Sequence, residues 1–275
     1  MNKNKNKAIV ASVIFLAFFV FWIVVAVKGL QGNTNTANLF SALYGIMALY
    51  GGVMGLKASR HWGGYKSLVG RSIIYISFGL LAQEVGQVIY SMYTYLFHQN
   101  IPYPSLGDIG YFGSVILYIL GAYTLVKALS TQSALRSHLN KFSVALVPVV
   151  LLTVSYFFFL RGYNFNWHHP LTIFLDFGYP LGQAFYISLG LIVFILSKRY
   201  LGGVMKSVVL FLIFALILQY AADFTFLYQD SRGTWRTAGF NELMYLVSYF
   251  AMTLSLLKFG IALDKLRTNA PKVEG

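Results

Sequence analysis

The sequence predicts an all-α integral membrane protein of eight transmembrane helices, arranged as two parallel four-helix repeats with both termini cytoplasmic. Three observations predict this. Of the 275 residues, 57% are hydrophobic and only 11% charged, too little charge to cover a soluble domain. The apolar residues fall into eight runs, each near the roughly 20 residues that a helix needs to cross a bilayer. The lysines and arginines alternate between rich and poor loops along the chain.

The runs span residues 8–27, 39–56, 72–97, 109–128, 142–160, 171–196, 207–228 and 240–263. Each is unbroken enough that its backbone must be satisfied within a helix, and none alternates as a barrel strand would. The first follows a basic segment, 1–7, yet exceeds the core of about 7–15 residues found in a signal peptide. It lacks a clear small-residue cleavage site before Gln31 and is therefore read as a retained anchor. The second run ends just before Lys57. The third carries Gln83, Glu84, Gln87 and Tyr90, and the fourth is opened by Asp108. The sixth follows His168-His169-Pro170 and holds Asp176 and Pro180. Pro180 cannot donate to the carbonyl of Asp176, so a kink is expected there. The seventh contains Gln219 and Asp223, and the eighth is entered through Glu242.

Seventeen of the 21 basic residues lie in 1–7, 57–71, 127–141, 198–206 and 258–272. The intervening loops hold only Lys28, Arg161, Arg232 and Arg236. By the positive-inside rule the rich set is cytoplasmic, and the alternation requires eight spans. The net charge of +13 is thus a set of topology signals beside anionic lipid in the inner (plasma) membrane. The expected partner is the lipid bilayer, not nucleic acid. With no cysteine, disulfides, thiolate metal sites and lipidated cysteines are excluded.

An internal repeat is visible at half the chain length. Gln83 aligns with Gln219, and Gln87 with Asp223. Just before these spans, Gly63-Gly64 matches Gly202-Gly203; just after them, Asp108-x-x-Tyr111 matches Glu242-x-x-Tyr245. Four spans separate equivalent positions, so the halves point the same way. The domains are then 1–130 and 131–265, followed by a short cytoplasmic tail, 266–275.

Six of the eight acids (Glu84, Asp108, Asp176, Asp223, Asp230 and Glu242) fall in the outer half of the membrane or at its outer edge, as do His98, His168 and His169. Asp223 lies inside a span, where an ionised carboxylate costs several kcal/mol unless paired or hydrated. Gln219 sits one turn away on the same face, and Gln83, Gln87 and Tyr90 form the corresponding stripe. These are either two ligand-binding pockets or interhelical hydrogen bonds. Asp108 and Glu242 also suit helix starts: Ser105-x-x-Asp108 resembles a capping box, and an acid in the first turn meets the positive end of the helix dipole. The candidate ligand-binding residues are Gln83, Gln87, Asp108, Tyr111, Gln219, Asp223, Glu242 and Tyr245. His168, His169 and Asp176 lack the spacing of metal ligands, and no metal or cofactor is expected. There is no Walker loop, His-Glu-x-x-His or nucleophile elbow, so no catalytic residue is assigned.

The stretch Pro102-Tyr103-Pro104-Ser105-Leu106-Gly107-Asp108-Ile109-Gly110-Tyr111 resembles one in the multi-spanning N-terminal sensor modules of bacterial diguanylate cyclases and related signalling proteins. The resemblance implies a membrane sensory input module. The sequence differs in having only 12 residues after Leu263, so a signal is expected to pass to a separate cytoplasmic or membrane partner. The resulting expectation is a sensory or scaffold module with outward-facing polar pockets. The alternative is a small-solute or ion transporter, for which the repeat, Asp223 and the kinked sixth span speak. A membrane enzyme built on the outer acids and histidines is a third reading.

Overall fold

The computed structural model describes residues 2–32, 34–97, 101–129, 138–163, 165–200 and 203–268. His98, Gly202, Arg136 and the end of the tail lie outside the described residues. The described chain is helical: α1 (Asn2–Val27), α2 (Asn35–Leu43), α3 (Ile46–His61), α4 (Leu68–Tyr95), α5 (Gly107–Leu129), α6 (His138–Ser155), α7 (Pro170–Tyr200), α8 (Gly203–Ser231) and α9 (Phe240–Thr268). A 3-10 turn, Gly64–Lys66, precedes α4, and a π-helical turn, Tyr156–Leu160, continues α6. No strand occurs among the described residues.

Seven segments are long and apolar enough to cross a membrane: Lys5–Val27, Asn35–His61, Leu68–Tyr95, Gly107–Ala128, Pro170–Ile195, Met205–Ser231 and Phe240–Ala262. Leu146–Leu160 is a shorter apolar helix, where the sequence predicts the fifth of eight spans. The protein is therefore an all-helical, multi-pass membrane bundle.

Six elements form a closed ring in the order α3, α4, α5, α7, α8, α9 and back to α3. Outside it, α1 packs mainly on α9, and α6 on α7. Ile9, Val13, Leu16 and Val20 of α1 are each more than half exposed, as suits a helix that faces lipid. Within the ring, close approach replaces the hydrophobic drive that lipid removes. At Gly110 of α5 a Cβ would lie 2.5 Å from the carbonyl oxygen of Ala82, and at Gly79 of α4 one would lie 2.3 Å from the ring of Tyr118. Two indoles pin α9 to the N-terminal elements. Trp22 Nε1 donates to the carbonyl of Gly239 (3.1 Å), and Trp62 Nε1 donates to that of Phe259 (3.0 Å).

The second apolar run is not one helix, because a turn at Tyr44-Gly45 separates α2 from α3. The Phe40 carbonyl keeps its ordinary helical bond, from Tyr44 N (3.0 Å). At the interruption the Ser41 carbonyl is taken by Gln87 Nε2. Side-chain rescue of this kind is how a broken helix survives at membrane depth. Helix α7, by contrast, stays continuous across Pro180. The two glycine pairs also differ: Gly63 (φ 82°) and Gly64 (φ 54°) turn the chain in a left-handed conformation, whereas Gly203 already begins α8.

Candidate functional site

The polar stripe of α4 is engaged from three sides. Gln87 Oε1 accepts from the hydroxyls of Tyr111 (α5, 2.9 Å) and Tyr44 (3.2 Å), while its Nε2 donates to the Ser41 carbonyl. One turn earlier, Gln83 Nε2 donates to Ser114 Oγ (2.8 Å), and Gln83 Oε1 accepts from Tyr249 of α9 (3.0 Å). Ser114 in turn donates to the carbonyl of Tyr111 (2.6 Å). Each amide uses both its acceptor and its donor, as a buried amide must to avoid a desolvation penalty.

The stripe of α8 follows a similar scheme. Asp223 Oδ1 accepts from Tyr245 of α9 (2.9 Å) and from Gln219 Nε2 (3.0 Å), and Oδ2 accepts from Tyr186 of α7 (3.0 Å). Gln219 Oε1 accepts from Ser248 Oγ (2.8 Å). Asp223 is 5% exposed and Gln219 fully buried. Three donors converge on this carboxyl group. The hydroxyl of Tyr118, also fully buried, has no partner among the described residues; its ring packs edge-on against Tyr186 at 5.9 Å.

Asp108 and Glu242 do more than cap their helices. Asp108 Oδ2 accepts from Ser105 N (2.7 Å) and Ser105 Oγ accepts from Gly107 N (3.1 Å), which makes a compact capping arrangement. The other oxygen, Oδ1, accepts from Tyr179 of α7 (2.8 Å). Glu242 Oε2 accepts from Ala238 N (2.8 Å) and from the hydroxyl of Ser41. Ala238 has a φ of 54°, a left-handed conformation that costs an L-residue about 1–2 kcal/mol. The bond from its amide to Glu242 and the contact of its carbonyl with Gln31 Nε2 (3.1 Å) hold it there.

All eight sequence-identified residues thus lie in hydrogen-bonded clusters, with Tyr111 and Tyr245 half-buried and the other six buried, and Gln87 meets Tyr111 as Asp223 meets Tyr245. The sequence reading passed over Ser41, Tyr44, Ser114, Tyr179, Tyr186, Ser248 and Tyr249. One signal was available: the matched motif extends to acid-x-x-Tyr-x-x-Ser, in Asp108-Tyr111-Ser114 and Glu242-Tyr245-Ser248. Glu84 stands apart. Its Oε2 is buried without a partner among the described residues, and a Cβ on Gly45 would lie 1.9 Å from it.

A smaller cluster joins the loops at the same end. Asp176 accepts from Tyr103 (2.7 Å) and Tyr163 (2.6 Å). Burial and the bond to Asp176 push the Tyr103 hydroxyl far above its ordinary value. The bond to Asp176, more than burial, pushes that of Tyr163 up to about 12. Both therefore remain neutral donors at physiological pH. His168 and His169 are exposed, and no group of three or more histidine, aspartate or glutamate side chains is arranged to hold a metal among the described residues. No protein-family model matches this chain, and comparison with curated proteins and with solved structures finds no match.

Proposed function

We propose that the chain is a sensory or scaffold module of the inner membrane that acts through a separate signalling partner. In this reading it has eight spans in two like-oriented halves, 1–130 and 131–265, with the lysine-rich loops, both termini and the tail 266–275 in the cytoplasm. The two polar clusters are its responsive element. One observation carries the proposal: hydroxyls cross between the halves to hold the acids and amides. Ser41 holds Glu242, Tyr179 holds Asp108 and Tyr249 holds Gln83. A ligand that displaces one of these hydroxyls at Gln83, Asp108 or Glu242 must break a bond to the other half, so binding there changes how the halves pack. Such differential contact is what a ligand needs to shift a conformational equilibrium.

The transport alternative draws on Asp223, a carboxylate inside the bundle. A solute path needs polar groups that continue toward the lysine-rich end. There the buried hydroxyls of Ser77, Thr124, Ser188 and Thr253 bond to carbonyls of their own helices, which consumes them as backbone partners, and that of Ser255 is buried without a partner among the described residues.

The two readings separate by experiment. A sensor copurifies from native membranes with a kinase or cyclase, and the reconstituted protein passes no small solute or ion. Solute flux in liposomes that Asp223→Asn abolishes would sink the sensory reading. If Asp223→Asn and Gln87→Ala both leave flux and partner binding unchanged in a folded protein, the clusters have no functional role.

A further inference from the structure

We infer that a groove on the surface of α8 binds one anionic phospholipid. The groove has a volume of about 460 Å3 and is lined by Lys206, Ser207, Leu210, Phe211 and Phe214, within the range of small-ligand sites. These residues recur at helical spacing, so they form one stripe down the helix. From Lys206 to Phe214 the stripe descends about 12 Å at 1.5 Å per residue, from headgroup level into the acyl region. Its chemistry changes over that distance in the order that a phospholipid presents, first cationic and hydroxylic, then aliphatic and aromatic.

Three features select a negative headgroup. Lys206 lies in the first turn of α8, where the helix dipole adds positive potential. Lys258 of α9 reaches the groove wall, with its Nζ 3.6 Å from the centroid of the Phe211 ring. Ser207 is exposed at the mouth and supplies a hydroxyl donor to a phosphate oxygen. A zwitterionic headgroup would bring its own ammonium against the two lysines. A free phosphate would leave the Leu210, Phe211 and Phe214 wall unused, and Phe214 is 50% exposed. The occupant is therefore a lipid with a phosphodiester headgroup of net negative charge. This inference does not depend on whether the bundle senses or transports.

The test is native mass spectrometry of the intact protein released from nanodiscs of equal parts phosphatidylglycerol and phosphatidylcholine. One phosphatidylglycerol is expected to remain bound in preference to phosphatidylcholine. Lys206→Gln and Lys258→Gln should each lower that preference roughly fivefold, the value of one lysine near an anionic membrane surface. Lys57→Gln, an exposed lysine on α3, should leave it unchanged, and unaltered melting in pure phosphatidylcholine verifies that each variant folds. Equal retention of the two lipids overturns the inference. So does an effect of Lys57→Gln as large as that of Lys206→Gln, which would mean diffuse surface charge. Displacement of the lipid by inorganic phosphate at equal concentration also counts against it.

Discussion

Removing the hydroxyl of Tyr186 should destabilise the bundle more than removing that of Tyr245, although both donate to the same carboxylate. Tyr186 is the donor to Asp223 Oδ2, whereas Oδ1 is shared by Tyr245 and Gln219. In Tyr186→Phe the ring stays packed against Tyr118 and Tyr220, so the change is almost wholly the lost donor. Leaving a buried acceptor unpaired costs about 2 kcal/mol. In Tyr245→Phe the Gln219 amide remains 3.0 Å from Oδ1, and the cost falls to about 0.6 kcal/mol, the average for interhelical hydrogen bonds in membranes. The difference of about 1.4 kcal/mol is tenfold in the unfolding equilibrium. It can be read by reversible unfolding in mixed micelles of rising dodecyl sulfate content, followed by far-ultraviolet circular dichroism. In an Asp223→Ala background both effects should collapse below about 0.5 kcal/mol, because non-additivity isolates the pair. If Tyr245→Phe costs as much as Tyr186→Phe, or if the Tyr186 effect survives without Asp223, the assigned geometry is wrong.

Two glycine substitutions should act with opposite signs in the same assay. Gly79→Ala drives a methyl to 2.3 Å from the fully buried ring of Tyr118 and should cost about 1–3 kcal/mol by overpacking. Gly113→Ala meets nothing within 4 Å and should gain about 0.5–1 kcal/mol from helix propensity. The Tyr163–Asp176 bond predicts a pH dependence. The Tyr163 hydroxyl rises from 10.0 to about 12 in the folded protein, so its contribution is complete below the unfolded value and is lost as pH passes the folded one. The stability difference between wild type and Tyr163→Phe should therefore hold steady through neutral pH and vanish above about pH 12; a difference that grows with alkalinity contradicts this.

The membrane-bundle architecture was legible because lipid imposes one rule, that apolar runs must be helical. The same uniformity hid the turn at Tyr44-Gly45, since an apolar run reads alike whether or not it is broken. Gln83, Gln87, Gln219 and Asp223 stood out because amides and acids are costly in lipid. Their tyrosine partners did not, since Tyr44, Tyr186 and Tyr249 in an apolar helix also suit a core or an interfacial belt. Serines fared no better. The reading of Asp108 and Glu242 as caps captured only local bonds, because a sequence of one chain does not display which hydroxyl arrives from a distant helix. Tyr179 and Ser41 reach them across 71 and 201 residues.

The ring has a consequence for how the protein is made. Its closing seam joins α3 to α9, and α9 is also where α1 rests and where the indoles of Trp22 and Trp62 attach. During synthesis the early helices must therefore wait in the membrane, with Gln83 lacking Tyr249, until α9 is inserted. A ribosome stalled before Phe240 would leave Gln83 without its Tyr249 donor and Asp223 without its Tyr245 donor, polar groups short of partners at membrane depth.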